Sequence, residues 1–203
     1  MSGVAPDGSP VTLYARLPSL GAEILELGAG AGRVTHPLVA LGHAVVAVDN
    51  SEEMLALIDG AETVLADIET LDLGRRFPVV VLASNFINHP DDAERRGFLG
   101  SCARHVLPDG QVLLQGFPRD WIPSTQWAQH GDVGVRLRSF TVDAAVVSGE
   151  MEYVVGRRRV FHAFESRLLT SAELDEDLGS VGLRRVRELD DRDSWIEAAP
   201  LAS

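Results

Sequence analysis

The sequence predicts a doubly wound α/β fold, in which a mostly parallel sheet lies between layers of helices. Short apolar runs alternate with helical segments from Ala22 to Phe117, as is typical of repeated strand–helix units. The strand-like runs are almost continuously apolar, which indicates strands that are covered on both faces. After Phe117 the pattern loosens, and it predicts an inserted antiparallel meander and a closing antiparallel hairpin. A length of 203 residues is typical of one domain, so residues 1–203 are interpreted as a single unit.

Five strands and three helices are predicted in the first part of the chain. The strands are AEILEL, HAVVAVD, ETVLAD, PVVVLAS and QVLLQGF. The helices are RVTHPLVAL, which Gly42 closes, EEMLALI, which Ser51 caps, and DDAERRGFLGSCARHVL. Right-handed crossovers between successive parallel strands then place helices on both faces of the sheet.

The remaining segments are assigned from their composition and alternation. Residues 1–21 are rich in Pro, Gly and Ser, and they are predicted to form a short helix or a lid over the core at 22–117. Residues 131–169 alternate in polarity, with Gly and Asp at the joints, which predicts the inserted antiparallel meander. The segment SAELDEDLGSVG is predicted to be a helix capped by Ser171, and LRRVREL and SWIEAAP to form the closing hairpin.

Charge and composition exclude several classes of partner. The net charge of −12 argues against nucleic acid, since binding to phosphates depends on clustered positive charge. No apolar run reaches the roughly 20 residues of a membrane span, so no membrane partner is expected. The histidines and the single cysteine, Cys102, lack the spacing of metal ligands, so no metal is expected. With no leader visible and one cysteine, we expect a cytoplasmic protein that is a monomer or a homodimer.

The stretch ILELGAGAGRV predicts a ligand-binding turn between the first strand and the first helix. Gly28, Gly30 and Gly32 directly follow the apolar run. A dinucleotide fingerprint would need a further glycine where Arg33 stands. An NAD-dependent oxidoreductase is therefore disfavoured but stays open as an alternative.

The run from Glu26 to Gly32, E-x-G-x-G-x-G, resembles the first motif of the class I S-adenosylmethionine-dependent methyltransferases. Four later stretches resemble that family's other motifs in the same order, namely AVVAVDNSEEMLAL, VLADIETLDL, VVVLASNFINHPDD and LPDGQVLL. The resemblance covers roughly residues 22–117. It implies a Rossmann-like methyltransferase fold, S-adenosyl-L-methionine as cofactor, and transfer by in-line displacement at the sulfonium methyl group.

Residues at the carboxyl ends of the predicted strands are the candidates for binding the cofactor. Asp49 lies 21 residues past Gly28, and one carboxylate can accept hydrogen bonds from both hydroxyls of a ribose. The resemblance implies that Asp67 and the Ile68 amide contact the adenine edge and that Met54 packs on its face. The full predicted set is Glu26, Gly28, Ala29, Gly30, Asp49, Asn50, Met54, Asp67, Ile68 and Ser84.

The acceptor side of the site is predicted less specifically. His89 is a candidate general base, with a structural hydrogen bond as the alternative role. The meander is expected to stand over the carboxyl end of the sheet and to wall a pocket with Trp121 and Trp127, and the acceptor is expected to be a small molecule. The alternative roles are that the tryptophans anchor the meander, and that the protein binds S-adenosylmethionine without transferring methyl because the meander fills the pocket.

Overall fold

The computed structural model describes residue 17 and residues 21–118, 120–130, 133–189 and 194–202 of the chain. Of the predicted N-terminal lid at 1–21, only Leu17 and Gly21 belong to the described residues, and the rest of that prediction lies outside them. Residues 131 and 132, at the start of the predicted meander, also lie outside.

A seven-stranded sheet forms the centre of the molecule. Its strands are β1 (Glu23–Leu27), β2 (Ala44–Asp49), β3 (Glu62–Leu65), β4 (Phe77–Leu82), β5 (Val106–Gln115), β10 (Leu183–Glu188) and β11 (Trp195–Pro200). Their order across the sheet is β10-β11-β5-β4-β1-β2-β3. The first five strands are parallel, and β11 pairs antiparallel with both β5 and β10. The predicted fold class, including the closing hairpin, is confirmed.

Within the residues that the structure describes, four helices and one 3₁₀ turn connect these strands. They are α1 (Thr35–Ala40), α2 (Glu52–Leu55), the 3₁₀ turn (Phe86–Asn88), α3 (Asp92–His105) and α4 (Ser171–Ser180). The core lies on both faces of the sheet: α3 and α4 pack on one face through Leu99 and Leu178, and α1 packs on the other through Leu38. Burial of these apolar side chains fixes the directions of the strand ends, where the site lies.

The predicted meander is present as a separate antiparallel sheet. Its strands are β6 (Ala128–His130), β7 (Val133–Asp143), β8 (Val146–Val155) and β9 (Arg158–Arg167), paired in chain order. Along β8, Met151 and Tyr153 face one side, while Glu152 faces the other and binds Arg136 and Arg159. The arginine partners lower the pKa of the buried Glu152 carboxyl.

Several predicted element ends are corrected by the structure. The N-cap of α4 is Thr170, not Ser171: its hydroxyl accepts from the Glu173 N–H and the Glu173 carboxylate accepts in return, which is a complete capping box. The helix α2 ends at Leu55, earlier than the predicted EEMLALI segment. The fifth strand begins at Val106 and includes the predicted PDG turn.

Candidate active site

The glycine turn after β1 is closely covered by an aromatic ring. Gly28 has a φ of +73°, which a residue with a side chain adopts only with strain. A Cβ atom at this position would lie 2.3 Å from the Phe86 ring. The Gly28 and Ala29 amides donate to the Val48 carbonyl, which ties the turn to β2. The sequence therefore needs glycine at position 28 both for the backbone angle and for the ring.

The carboxylate at the end of β2 is fixed by backbone amides. Asp49 Oδ2 accepts from the Gly30 N–H at 2.8 Å, and Oδ1 accepts from the Ser51 N–H at 3.0 Å. Each carboxylate oxygen keeps a lone pair for a further donor. Next to it, the Asn50 side-chain amide donates to Asp67 Oδ1 at 3.1 Å. Two carboxylates are therefore held in place at the ends of β2 and β3.

A cavity of about 230 Å³ lies beside these groups. Five residues of the sequence-predicted site line it: Gly28, Asp49, Asn50, Ile68 and His89. The sequence reasoning missed the other five lining residues, which are Ala66, Glu69, Phe86, Glu94 and Phe98. The cavity thus joins a carboxylate and an amide to apolar and aromatic surface, which suits a nucleoside with its diol and flat base.

The other predicted cofactor residues do not line this smaller cavity. Gly30 and Asp67 contact its lining directly, through their hydrogen bonds to Asp49 and Asn50. Ala29 is buried and Met54 is 46% exposed. Ser84 lines a different, larger cavity. The cofactor roles of these residues stay predictions.

Glu26 is buried under the glycine turn. Its side chain is 1% exposed, and its Oε2 accepts from the Thr35 hydroxyl at 2.6 Å, which joins β1 to the start of α1. Burial raises the pKa of the Glu26 carboxyl to about 7, while the hydrogen bond from Thr35 opposes the rise. The geometry gives Glu26 a part in holding the turn.

The loop after β4 has an unusual backbone. Ser84 and Asn85 adopt left-handed φ angles of 59° and 61°. Such angles are costly for residues other than glycine and are often found at functional sites. They turn the chain so that Phe86 lies over Gly28, and they present Ser84, Asn85 and His89 to the larger cavity.

Both nitrogens of His89 have partners. Nδ1 accepts from the Asp91 N–H at 3.3 Å, and Nε2 lies 3.4 Å from a Glu94 carboxylate oxygen. A neutral ring that accepts at Nδ1 carries its proton on Nε2, so neither nitrogen offers a free lone pair in this arrangement. The arrangement favours the structural role for His89, and its catalytic role stays a prediction.

The larger cavity, of about 510 Å³, lies between the core and the meander. Its walls come from the loop after β4, the loop after β5, and the meander strands β7, β8 and β9. Phe86 and His89 line both this cavity and the smaller one. The two spaces therefore meet at a shared wall.

Buried Asn88 joins the three segments that surround the larger cavity. Its Oδ1 accepts from the Phe117 N–H at 3.0 Å, after β5, and its Nδ2 donates to the Arg167 carbonyl at 2.8 Å, at the end of β9. It is 6% exposed. One amide therefore ties the loop after β4 to the loop after β5 and to the meander.

The two loop tryptophans have different positions. Trp121 lines the larger cavity and stacks on Phe117 with 4.3 Å between ring centroids. Trp127 does not line it: this ring is 48% exposed and lies under the Arg136 guanidinium, 4.6 Å from the ring centroid. The prediction that both tryptophans wall the pocket is therefore right for Trp121 and wrong for Trp127, which packs on the meander.

Arg33 is a cation at the carboxyl edge of the sheet that the sequence reasoning did not assign to the site. Its Nη2 donates to Gln115 Oε1 at 3.0 Å and lies 3.4 Å from Ser84 Oγ, both neutral groups. The signal was available, because this arginine directly follows the last glycine of the turn. Among the described residues its hydrogen-bond partners are neutral oxygens, and a cation with such partners can take up an anionic ligand group.

Within the described parts of the chain, no group of three or more His, Cys, Asp or Glu side chains could hold a metal ion. Over the same residues, no helix has the length and hydropathy needed to cross a membrane.

Comparison with known proteins gives one family. Residues 24–110 match the family described as a methyltransferase domain. A ubiquinone biosynthesis O-methyltransferase from Rhodopseudomonas palustris is 31% identical over 109 residues, which is 50% of this chain and 42% of the relative. The cypemycin N-terminal methyltransferase from a Streptomyces species is 32% identical over 104 residues, 48% of this chain and 42% of the relative. The aligned region spans less than half of these curated relatives.

Solved structures show the same fold over nearly the whole chain. The CcbJ methyltransferase from Streptomyces caelestis has a TM-score of 0.75 at 23% identity and covers 99% of this chain and 92% of its own. CalS10, an amino pentose methyltransferase from Micromonospora echinaspora, has a TM-score of 0.70 at 22% identity and covers 94% and 87%.

The strand order, the glycine turn and the carboxylate at the end of β2 define the class I methyltransferase fold. The match of residues 24–110 to a methyltransferase domain and the curated relatives agree with this fold, and they support the resemblance to the class I S-adenosylmethionine-dependent methyltransferases over that part of the chain.

Proposed function

We propose that this protein binds S-adenosyl-L-methionine in the smaller cavity and transfers its methyl group to a small-molecule acceptor in the larger one. The observation that carries the proposal is the shared wall of Phe86 and His89, because methyl transfer requires donor and acceptor sites in contact. The names of the relatives, an O-methyltransferase and an amino pentose methyltransferase among them, support a small molecule as acceptor.

The residues present fit the cofactor in chemistry. Asp49 would accept from the ribose hydroxyls, while Ile68 and Phe98 offer apolar surface to the adenine. Arg33 would pair with the carboxylate of the methionine part, because its hydrogen-bond partners within the described ranges are neutral. At Gly30 no atom lies within 4 Å of the place where a Cβ would stand, so the turn leaves open space at that position.

When bound, S-adenosylmethionine supplies a methyl group activated by the sulfonium. In an in-line displacement the acceptor atom gains that methyl group, the carbon–sulfur electron pair stays on sulfur, and the acceptor loses a proton. The contribution of the chain is to orient the acceptor and to exclude water. Water stabilises the charged sulfonium of the ground state more than the transition state, in which that charge is dispersed, so exclusion of water lowers the barrier. Phe86, Trp121 and the meander perform this exclusion in the proposal.

Proton removal is assigned conditionally. An amine acceptor that arrives neutral needs no protein base, whereas a hydroxyl acceptor does. His89 can serve as a neutral base at Nε2 only as its other tautomer, with the proton on Nδ1, which requires that Nε2 leave Glu94 and that Nδ1 release the Asp91 N–H. We further propose a cytoplasmic location, supported by the single buried cysteine, and a monomer or homodimer.

Two other functions are less well supported. Cofactor binding without transfer was expected if the meander filled the acceptor site, but a 510 Å³ cavity remains under it. An NAD-dependent oxidoreductase would need a glycine at the position of Arg33.

The test is calorimetric titration with S-adenosylhomocysteine and, in parallel, with NAD. S-adenosylhomocysteine should bind and raise the Tm, since a ligand at about 100 times its Kd adds roughly 2.7 kcal/mol of stability. NAD should do neither. Binding of NAD alone would overturn the proposal. If S-adenosylhomocysteine binds, a screen with labelled methyl donor separates methyl transfer from cofactor binding without transfer.

A further inference from the structure

The larger cavity is walled by aromatic rings. The chain has 12 aromatic residues in its 203, namely seven Phe, three Trp and two Tyr. Five of them line this one cavity: Phe86, Phe117, Trp121, Tyr153 and Phe164. Phe164 also packs against Phe117 and Trp121, with centroid distances of 6.1 Å and 6.4 Å. Ring faces and edges at this density favour a flat ring in the ligand.

The charges around the cavity are unfavourable for an anion. No arginine among the described residues lines it, although the chain has 18 basic residues. Glu165 lies in its wall, and the Glu94 carboxylate stands behind His89. The basic groups in its wall are the imidazoles of His89 and His162, and the Nε2 of His89 already faces Glu94. A carboxylate or phosphate placed here would lose water and would gain no guanidinium partner among the described residues.

Three arginines of the meander form ion pairs on the side of its sheet that faces away from the cavity. Arg136 and Arg159 bind Glu152, on the opposite side of β8 from the cavity-lining Met151 and Tyr153. Arg138 binds Glu150 at 2.5 Å, and that pair also lies on strands β7 and β8. These charges stabilise the outer face of the meander and leave its inner face to apolar and aromatic groups.

We propose that the acceptor is a ring-bearing molecule that presents no anionic group to the larger cavity. This rests on the proposed function, in that the cavity is taken as the acceptor site. It predicts selection against carboxylated, phosphorylated and nucleotide-linked acceptors. Tyr153 also lines the cavity. Among the described residues its hydroxyl donates to the Met151 sulfur at 3.6 Å, which is a weak hydrogen bond. The hydroxyl is therefore available to a neutral polar group on the ring of the acceptor.

The test uses three probes that share one phenol ring: tyramine, which is cationic, tyrosol, which is neutral, and 4-hydroxyphenylacetate, which is anionic. Each is titrated into the full-length protein saturated with S-adenosylhomocysteine, so that Arg33 is already neutralised in the proposed cofactor site. We expect tyrosol and tyramine to bind at least about ten-fold more tightly than 4-hydroxyphenylacetate. Equal or tighter binding of the anion, or no binding of any probe at millimolar concentration, would overturn the proposal.

Two variants locate the effect. Val135→Arg places a cation on a half-buried cavity position and should raise the affinity for 4-hydroxyphenylacetate at least about ten-fold. Thr141→Arg, at an exposed position of β7, is the matched control and should not change it. If Val135→Arg does not fold, the wild-type ranking still decides, and Trp121→Ala should weaken tyrosol binding.

Arg119 lies outside the described residues, and in the sequence it stands between Phe117 and Trp121, which both line the cavity, so Arg119→Ala is measured too. Anion binding in the wild type that disappears in Arg119→Ala would identify a cationic acceptor subsite and overturn the proposal. The proposed function is tested separately, by titration with S-adenosylhomocysteine before any probe is added. Absence of binding at that step would contradict the proposed function itself.

Discussion

The Asp49 carboxylate is bound by the amide of Gly30, 19 residues earlier in the chain, at 2.8 Å. The turn after β1 and the end of β2 are therefore one structural unit. A carboxylate that is already oriented by two backbone amides loses less conformational entropy when a ribose binds, because its rotamer is fixed beforehand.

Removal of this carboxylate should weaken cofactor binding. Asp49→Ala is expected to cost roughly 1–3 kcal/mol in the affinity for S-adenosylhomocysteine, measured by calorimetry, since charged hydrogen bonds are lost. Asp59→Ala, at an exposed position, is the control and should bind as the wild type does. Unchanged affinity in a folded Asp49→Ala protein would remove this residue from the site.

Substitution in the glycine turn should disturb Phe86. Gly28→Ala combines a left-handed φ with a Cβ placed 2.3 Å from the ring, so we expect a loss of more than about 1 kcal/mol in unfolding free energy. Gly30 also has a left-handed φ, of +54°, but no atom lies within 4 Å of an added Cβ. Gly30→Ala should therefore reduce the unfolding free energy by less than Gly28→Ala does. Phe86→Ala in the Gly28→Ala background should restore part of the loss, as a double-mutant cycle in chemical denaturation would reveal. Strict additivity would contradict the contact.

Arg33 should distinguish ligands by their carboxylate. Arg33→Gln is expected to weaken the binding of S-adenosylhomocysteine by roughly 1–3 kcal/mol. The affinity for adenosine should not change, because adenosine lacks the methionine part. Arg75→Gln, in a surface ion pair with Glu23 and Glu62, is the control. An equal loss for both ligands would place Arg33 in a structural role.

The buried Glu26 should make stability depend on pH in a defined direction. Its pKa is about 7 in the folded protein against 4.5 for the free side chain, so the folded state binds the proton more tightly. The contribution of Glu26 to unfolding free energy therefore falls as pH rises from about 4.5 to 7, by up to about 1.4 kcal/mol per pH unit and roughly 3 kcal/mol in all.

Glu26→Gln isolates this effect, because an amide oxygen can still accept from Thr35 and does not ionise in this range. Denaturant unfolding of both proteins between pH 5 and 8 should show the wild type losing stability relative to the variant as pH rises. Parallel curves would show that the Glu26 carboxyl titrates normally.

Loss of the Asn88 amide should loosen the meander. In Asn88→Ala the bonds to the Phe117 N–H and the Arg167 carbonyl are both removed, at about 0.5–1.5 kcal/mol each. Hydrogen exchange across residues 133–167 should become faster than in the wild type, whereas S-adenosylhomocysteine affinity should change little. Thr141→Ala, at an exposed position of the same sheet, should leave the exchange unchanged. Unaltered exchange in Asn88→Ala would show that the meander is held by other contacts.

The sequence predicts which residues meet at the carboxyl edge of the sheet, because topology determines that edge. Parallel strands bring their carboxyl ends to one edge, so Gly28, Asp49 and Asn50 meet there whatever lies between them. The sequence also carries a signal for the cap of α4: Thr170 precedes Glu173 by three residues, which is the signature of a capping box, and the neighbouring Ser171 is itself a residue type that caps helices well.

The acceptor side could not be predicted in the same way. The placement of Phe86 over Gly28 depends on the two left-handed residues Ser84 and Asn85, and no local signal predicts that pair. The bond between Asn88 and Arg167 joins residues 79 positions apart, so the meander's docking follows from tertiary packing. Trp121 and Trp127 are six residues apart and have similar propensities, yet only one lines the cavity.

The shared wall of Phe86 and His89 also makes the two cavities thermodynamically dependent on each other. If a ligand in the smaller cavity shifts either ring, the affinity of the larger cavity changes by some factor. By linkage, a ligand in the larger cavity then changes the affinity of the smaller one by the same factor. The strength of the coupling between the two ligands would thus depend on one phenylalanine and one histidine, and substitution of Phe86 would alter that coupling while leaving each ligand's polar contacts in place.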